Sequence, residues 1–163
     1  MKLAIISDTH DNLKNFEKAI NWFNKEGIEL VLHCGDISSQ ETIDFANKLF
    51  KGEIKYVKGN ADFNLDLPDK DEMELKLESP LASSGRSSTK IAFTHFPDIA
   101  KKMAQSGKYD AVFYGHTHRP WDEKVGGCHM INPGEMAGQF YKPTFAVYDT
   151  TTENLELKIL ERL

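Results

Sequence analysis

The chain has 163 residues, of which 40% are apolar and 28% charged, and a net charge of −5; these are the proportions of a folded globular protein. No stretch approaches 18 uninterrupted apolar residues, which argues against a membrane-spanning helix. Lys and Arg form no cluster beyond short doublets, which argues against long nucleic acid as the main partner.

The chain opens on a buried strand over residues 2–7, a run too short for the apolar core of a signal peptide. A cytoplasmic location is therefore the default expectation. Leu13, Phe16, Ala19, Ile20 and Phe23 recur at helical spacing, with Asn12 as N-cap and Gly27 just past the end. A second apolar strand over 29–33, a helix over about 40–50 and a strand over 54–57 follow. This strand–helix alternation predicts right-handed crossovers and a parallel sheet.

Residues 72–78 alternate like a half-exposed strand, and the turn-rich stretch 79–89 predicts a hairpin. A strand over 90–94, a short helix over 98–106 and a strand over 110–114 come next. The tail offers three more strands, over 128–132, 144–149 and 154–160. Neither a repeat nor a linker divides the chain. The expectation is an α/β fold in a single domain over 1–163, with two packed β-sheets flanked by helices. Cys34 and Cys128 lie in apolar runs and form no C-x-x-C pair, so they read as reduced, buried thiols.

Chemistry-bearing residues collect where these strands end. Asp8 and His10 follow the first, Asp36 the second and Asn60 the third; His95 follows the strand over 90–94, and His116 and His118 the strand over 110–114. In an open α/β sheet the carboxyl edge is where ligands bind. Asp, Asn and His without a thiolate suit Mn, Fe, Zn, Ni or Co rather than a structural zinc.

Asp8-Thr9-His10, Gly35-Asp36, Gly59-Asn60-Ala61-Asp62, His95 and Gly115-His116-Thr117-His118 occur in that order. Together they resemble the motif set of the calcineurin-like metallophosphoesterases, specifically the small single-domain bacterial and archaeal phosphodiesterases. The resemblance spans residues 3–134. It implies a four-layer α/β/β/α sandwich and two divalent metal ions, manganese foremost. It implies that Asp8, His10 and His118 hold one metal, that Asn60, His95 and His116 hold the other, and that Asp36 bridges them. Asp36, Asn60 and His10 would be the catalytic positions. The implied reaction is hydrolysis of a small phosphoester or nucleotide by a metal-bridging hydroxide. Small relatives often form homodimers or homotetramers.

Two departures narrow that reading. Many relatives carry a His after Gly-Asn that can protonate the leaving oxygen; here the residue is Ala61. Substrates with good leaving groups should therefore be preferred. Protein Ser/Thr phosphatases follow Gly-Asp with an Arg, whereas here Ile37-Ser38-Ser39-Gln40 follows, which argues against phosphoprotein substrates. The competing function is a protein-interaction scaffold of the retromer-subunit type, in which ligands are partly lost; here all seven are present. A nuclease of the same superfamily is disfavoured by net acidity, and a metallo-β-lactamase type by the lack of its His-x-His-x-Asp-His cluster.

Other polar residues have plainer readings. His33 and His129 are expected to be hydrogen-bonded structural histidines. Asn12 caps its helix, with phosphate binding there as the alternative. Asp62 either steadies a ligand or is a solvated loop carboxylate. Arg119 is expected in a structural ion pair, with substrate phosphate as the alternative. Asn132-Pro133-Gly134 reads as support for the site. Ser83-Ser84-Gly85-Arg86-Ser87-Ser88 lacks the Gly-Lys-Ser/Thr element of a phosphate loop and reads as a hairpin tip.

Overall fold

β1 (Lys2–Ile6) is buried at every position after Lys2, as an unbroken apolar run requires when both faces are covered. It leads into α1 (Leu13–Lys25), whose Phe16, Ala19, Ile20 and Phe23 form the buried face. The Asn12 side chain accepts from the Asn15 amide at 3.1 Å and caps the helix. β2 (Leu30–His33), α2 (Gln40–Leu49) and β3 (Glu53–Tyr56) complete the first alternation. β2 lies parallel to both β1 and β3, as the strand–helix order predicts.

The structure, a computed structural model, describes residues 1–77 and 85–163. β4 (Lys70–Lys76) and β5 (Ser88–Thr94) pair antiparallel, which is the expected hairpin; most of its turn-rich stretch, Ser83 and Ser84 included, lies outside the described residues. α3 (Pro97–Gln105) then crosses to β6 (Ala111–Phe113), parallel to β5. β7 (Trp121–Val125), β8 (Cys128–Asn132), β9 (Thr144–Asp149) and β10 (Asn154–Ile159) follow.

Two five-stranded sheets result, in the orders β10-β9-β1-β2-β3 and β4-β5-β6-β8-β7. Chain order does not divide cleanly between the two sheets. The last two strands return to the first sheet, where β9 pairs antiparallel with β1. β7 is absent from the sequence expectation because four of its five residues are exposed and show no apolar alternation. It is an edge strand, and Asp122, Glu123 and Lys124 blunt that edge against further pairing.

Three apolar layers hold the sheets and helices together. Leu3, Ile5, Leu32, Phe93, Phe113 and Tyr148 fill the space between the sheets. Phe16, Ile20, Phe23, Val31 and Phe145 lie under α1, and Ala92, Ala100, Met103 and Val112 under α3. The order is helix, sheet, sheet, helix. Each fully buried Phe or Leu contributes about 1.5–3 kcal/mol relative to exposure. Among the described residues, no helix is long and apolar enough to cross a membrane.

Candidate metal centre

The seven sequence-selected side chains meet where the carboxyl ends of the two sheets come together. Asp8 Oδ1 lies 3.3 Å from His118 Nε2, and Asp36 Oδ2 lies 3.6 Å from His10 Nε2. One ligand-capable atom from each of Asp8, His10, Asp36 and His118 falls within 4.8 Å of all the others. Beside this group, His116 Nδ1 lies 2.8 Å from Asn60 Oδ1 and 3.3 Å from His95 Nε2. Asp36 joins the two groups, because the same Oδ2 is 3.5 Å from His95 Nε2.

The tautomers make these clusters into nests of acceptors. His95 Nδ1 donates to the Cys34 carbonyl at 2.8 Å, so a neutral His95 turns a lone pair toward Asn60 and Asp36. Burial holds its pKa below the usual histidine value against the pull of Asp36, which favours that neutral form. His118 Nδ1 donates to Glu135 Oε2 at 3.0 Å, so its Nε2 lone pair faces Asp8. Asp8 Oδ1 and His10 Nε2 are buried without any hydrogen-bond partner. Burial also pushes Asp8 up to about 7, with the Ser7 hydrogen bond and His118 opposing and Asp36 adding to the rise. Converging acceptors with orphaned atoms cost free energy unless a cation lies among them. The donor set fits divalent metal.

The backbone is bent to reach this arrangement. Asp8, His10, Asp36, His116 and His118 all have positive φ, between 44° and 69°. Non-glycine residues rarely adopt that region, and they do so at sites where the surroundings enforce it. Here the enforcement can be traced. Asp62, fully buried, accepts from the amides of Asp36, Ile37, Ser38 and Gly59 at 2.7–2.8 Å. This resolves the two readings of Asp62 in favour of support. Gly59 leaves room for the Asp36 carboxylate, which a Cβ there would strike. A Cβ on Gly115 would likewise strike Ser7 and Asp8.

The chain matches the family model described as the calcineurin-like phosphoesterase superfamily domain over residues 1–153. It belongs to that superfamily. It is a phosphoesterase, as the ordered motifs imply. A phosphodiesterase of Methanocaldococcus jannaschii is 36% identical over 166 residues, covering 99% of this chain and 100% of the relative. The solved structure of an archaeal phosphodiesterase superposes with a TM-score of 0.80 at 31% identity, covering 98% of this chain and 99% of the other. Vps29 of Chaetomium thermophilum superposes with a TM-score of 0.71 at 18% identity, covering 97% and 96%; that likeness shows the shared fold.

Several other residues of this phosphoesterase now have defined places. His33 is fully buried between Thr9 Oγ1, at 2.8 Å from Nε2, and the Gly35 amide, which donates to Nδ1 at 3.2 Å. Burial drives its pKa down to about 3, so the neutral ring ties the first two site loops together. Asn132 donates to the Gly115 carbonyl at 2.7 Å and to Thr117 Oγ1 at 3.0 Å, bracing the Gly-His-Thr-His loop. Cys34 and Cys128 are free and buried.

Two expectations are corrected. His129 Nδ1 has no hydrogen bond; it faces Asp122 Oδ1 at 3.6 Å across the β7–β8 pair. Arg119 has no carboxylate in ion-pair reach among the described residues and instead lies over the Trp121 ring at 5.7 Å.

Glu135 is absent from the sequence reading. It is fully buried and accepts from His118 and from the amides of Gln139, Phe140 and Tyr141. Burial raises its pKa, but the His118 and amide hydrogen bonds outweigh this and hold it below the usual value. A single acidic residue after Asn-Pro-Gly is a weak signal. What could have found it is the need of a metal-binding His for a carboxylate behind it.

Proposed function

We propose that this protein is a two-metal phosphodiesterase acting on small phosphoesters or nucleotides. Asp8, His10 and His118 would hold one divalent ion, and Asn60, His95 and His116 the other. Asp36 would bridge them. The observation that carries this reading is the position of Asp36 Oδ2, 3.6 Å from His10 Nε2 and 3.5 Å from His95 Nε2. Manganese is the foremost candidate, with Fe, Zn, Ni or Co also matched by an oxygen/nitrogen donor set.

When bound, two such ions lower the pKa of water to make a nucleophile near neutral pH and neutralise charge gathering on phosphoryl oxygens. The chain supplies the rest. Glu135 and the Cys34 carbonyl fix the rings of His118 and His95 with their Nε2 atoms inward. Asp62 fixes the backbone that aims Asp36. The exposed His116 stands at the solvent side, where a substrate phosphate enters.

Asp36→Asn tests the reading. Loss of diester hydrolysis with an unchanged fold supports it. Absence of hydrolysis by the unmodified protein across a phosphoester panel with each of the five metals would refute it and leave the scaffold alternative. A single domain over 1–163 and a cytoplasmic location belong to the same proposal; free buried thiols suit a reducing compartment.

A further inference from the structure

We propose that Phe96 is a positioning residue for the second metal: its ring holds the exposed His116 in the orientation that ligates. This inference rests on the two-metal reading above and assigns a further residue to the half of the site made by Asn60, His95 and His116.

A histidine that binds metal is usually oriented through its other ring nitrogen, which donates to a carboxylate, a carbonyl or water. Two of the four candidate histidines follow that rule. His118 is held by Glu135, and His95 by the Cys34 carbonyl. The other two have no such hydrogen bond among the described residues. His10 instead stacks on the His118 ring, with centroids 5.3 Å apart and an angle of 15° between the planes. His116 turns Nδ1 toward Asn60 and His95 and is exposed to solvent. No polar group fixes its ring from behind.

Phe96 supplies that support. Its ring centroid lies 5.3 Å from that of His116 at an angle of 57°, and 5.0 Å from that of His95 at 84°. These are the tilted and edge-on arrangements that aromatic pairs favour over a face-to-face sandwich. One ring thus packs on two of the three side chains assigned to the second metal alone.

The ring is itself placed by the backbone. Phe96 precedes Pro97, which confines it to the extended region; its φ is −87° and its ψ 132°. The Ala100 amide donates to the Phe96 carbonyl at 3.0 Å and begins α3. The Gly115 amide donates to the His95 carbonyl at 3.1 Å, which brings the next residue of each loop, Phe96 and His116, side by side. Phe140 offers a comparison. It packs edge-on against His118 at 5.0 Å, but Glu135 already fixes that ring, so Phe140 is redundant for orientation.

Calorimetric titration of the metal-free protein with manganese tests this in the unmodified chain and in Phe96→Ala, Phe96→Tyr and Phe140→Ala. The unmodified chain should take up two ions. An exposed ring left free must give up its rotation on binding, which lowers affinity roughly three- to tenfold for one side chain. Phe96→Ala should therefore weaken one ion by that factor and leave the other within about twofold. Phe96→Tyr keeps the ring and should restore the affinity. Phe140→Ala should leave both ions within about twofold. Phe96→Leu, which keeps apolar bulk without the flat ring, should lose affinity in the same single ion and stands in if the alanine variant does not fold.

If Phe96 only stabilised the start of α3, its loss would weaken both ions alike or neither, whatever it did to the urea midpoint in EDTA. Either result overturns the inference. Uptake of a single ion by the unmodified chain would refute the two-metal reading instead. The order of the His116 ring in the metal-free protein, read by NMR, then decides the inference. A ring that becomes mobile in Phe96→Ala sustains it, and a ring equally ordered in both proteins overturns it.

Discussion

Asp62→Asn is the substitution that most directly probes how the centre is held. The two residues are nearly isosteric, so no cavity is made. In the native arrangement Oδ1 accepts from Ile37 and Ser38, and Oδ2 from Asp36 and Gly59. An amide group retains one oxygen and places an NH2 where the other stood. Two of the four backbone donors then face a donor. Each buried donor left unsatisfied costs about 1–3 kcal/mol, so the variant should lose about 2–6 kcal/mol of stability. That is a large share of the roughly 5–15 kcal/mol by which a domain is stable. Urea unfolding of metal-free protein in EDTA measures it. Either orientation of the amide releases one of the two pairs that hold the loop around Asp36, itself at φ 56°, so manganese affinity should fall tenfold or more by calorimetry. Stability within about 0.5 kcal/mol of the unmodified protein, with unchanged manganese affinity, would refute the account of Asp62 as the support of Asp36.

Glu135→Gln should weaken manganese binding by about 10–100-fold, the usual cost of losing a carboxylate behind a ligating histidine; calorimetry checks this, and an unchanged affinity would count against His118 as a ligand. His33 sets an acid limit on stability. Its pKa is 6.5 unfolded and about 3 folded, so the unfolded chain binds the extra proton between those values. Stability from this group is therefore complete above pH 6.5 and falls as pH drops toward 3, by about 1.4 kcal/mol per unit. Urea midpoints of His33→Gln should show a shallower acid limb by that slope. Ala61→His should restore a leaving-group donor. Across aryl diesters of graded phenol pKa, the unmodified protein should show a steep rate dependence and the variant a flatter one; identical slopes would place the proton donor elsewhere.

The sequence discloses most of the fold because its strands and helices carry regular patterns. β1, β2 and α1 are each marked by burial on the expected positions. β7 escaped because an exposed edge has no apolar face to reveal it. Gly126-Gly127, both at positive φ, is a two-residue hairpin signal that would have found it. The return of β9 and β10 to the first sheet is a long-range choice that local pattern does not encode. At the site, residue type and order reveal the seven candidate ligands. They do not reveal the left-handed backbone at Asp8, His10, Asp36, His116 and His118, because Asp and His, although enriched in that region, adopt it in only a small minority of cases. Nor do they mark Glu135 or decide between the two readings of Asp62; that decision comes from burial against backbone amides.

The pairing of β9 with β1 bears on how the protein is made. The Asp8 loop is fastened by residues translated far later: the Met136 amide donates to the Ser7 carbonyl at 2.9 Å and the Ala137 amide to the Asp8 carbonyl at 3.0 Å. β1 itself lacks its antiparallel neighbour until Thr144–Asp149 has been synthesised. On a ribosome, the candidate ligands Asp8 and His10 emerge long before the strand that flanks β1. Contacts of such sequence separation form late and slowly. The loop that carries Asp8 is therefore fastened only once residues 136–149 have been made and have packed against it.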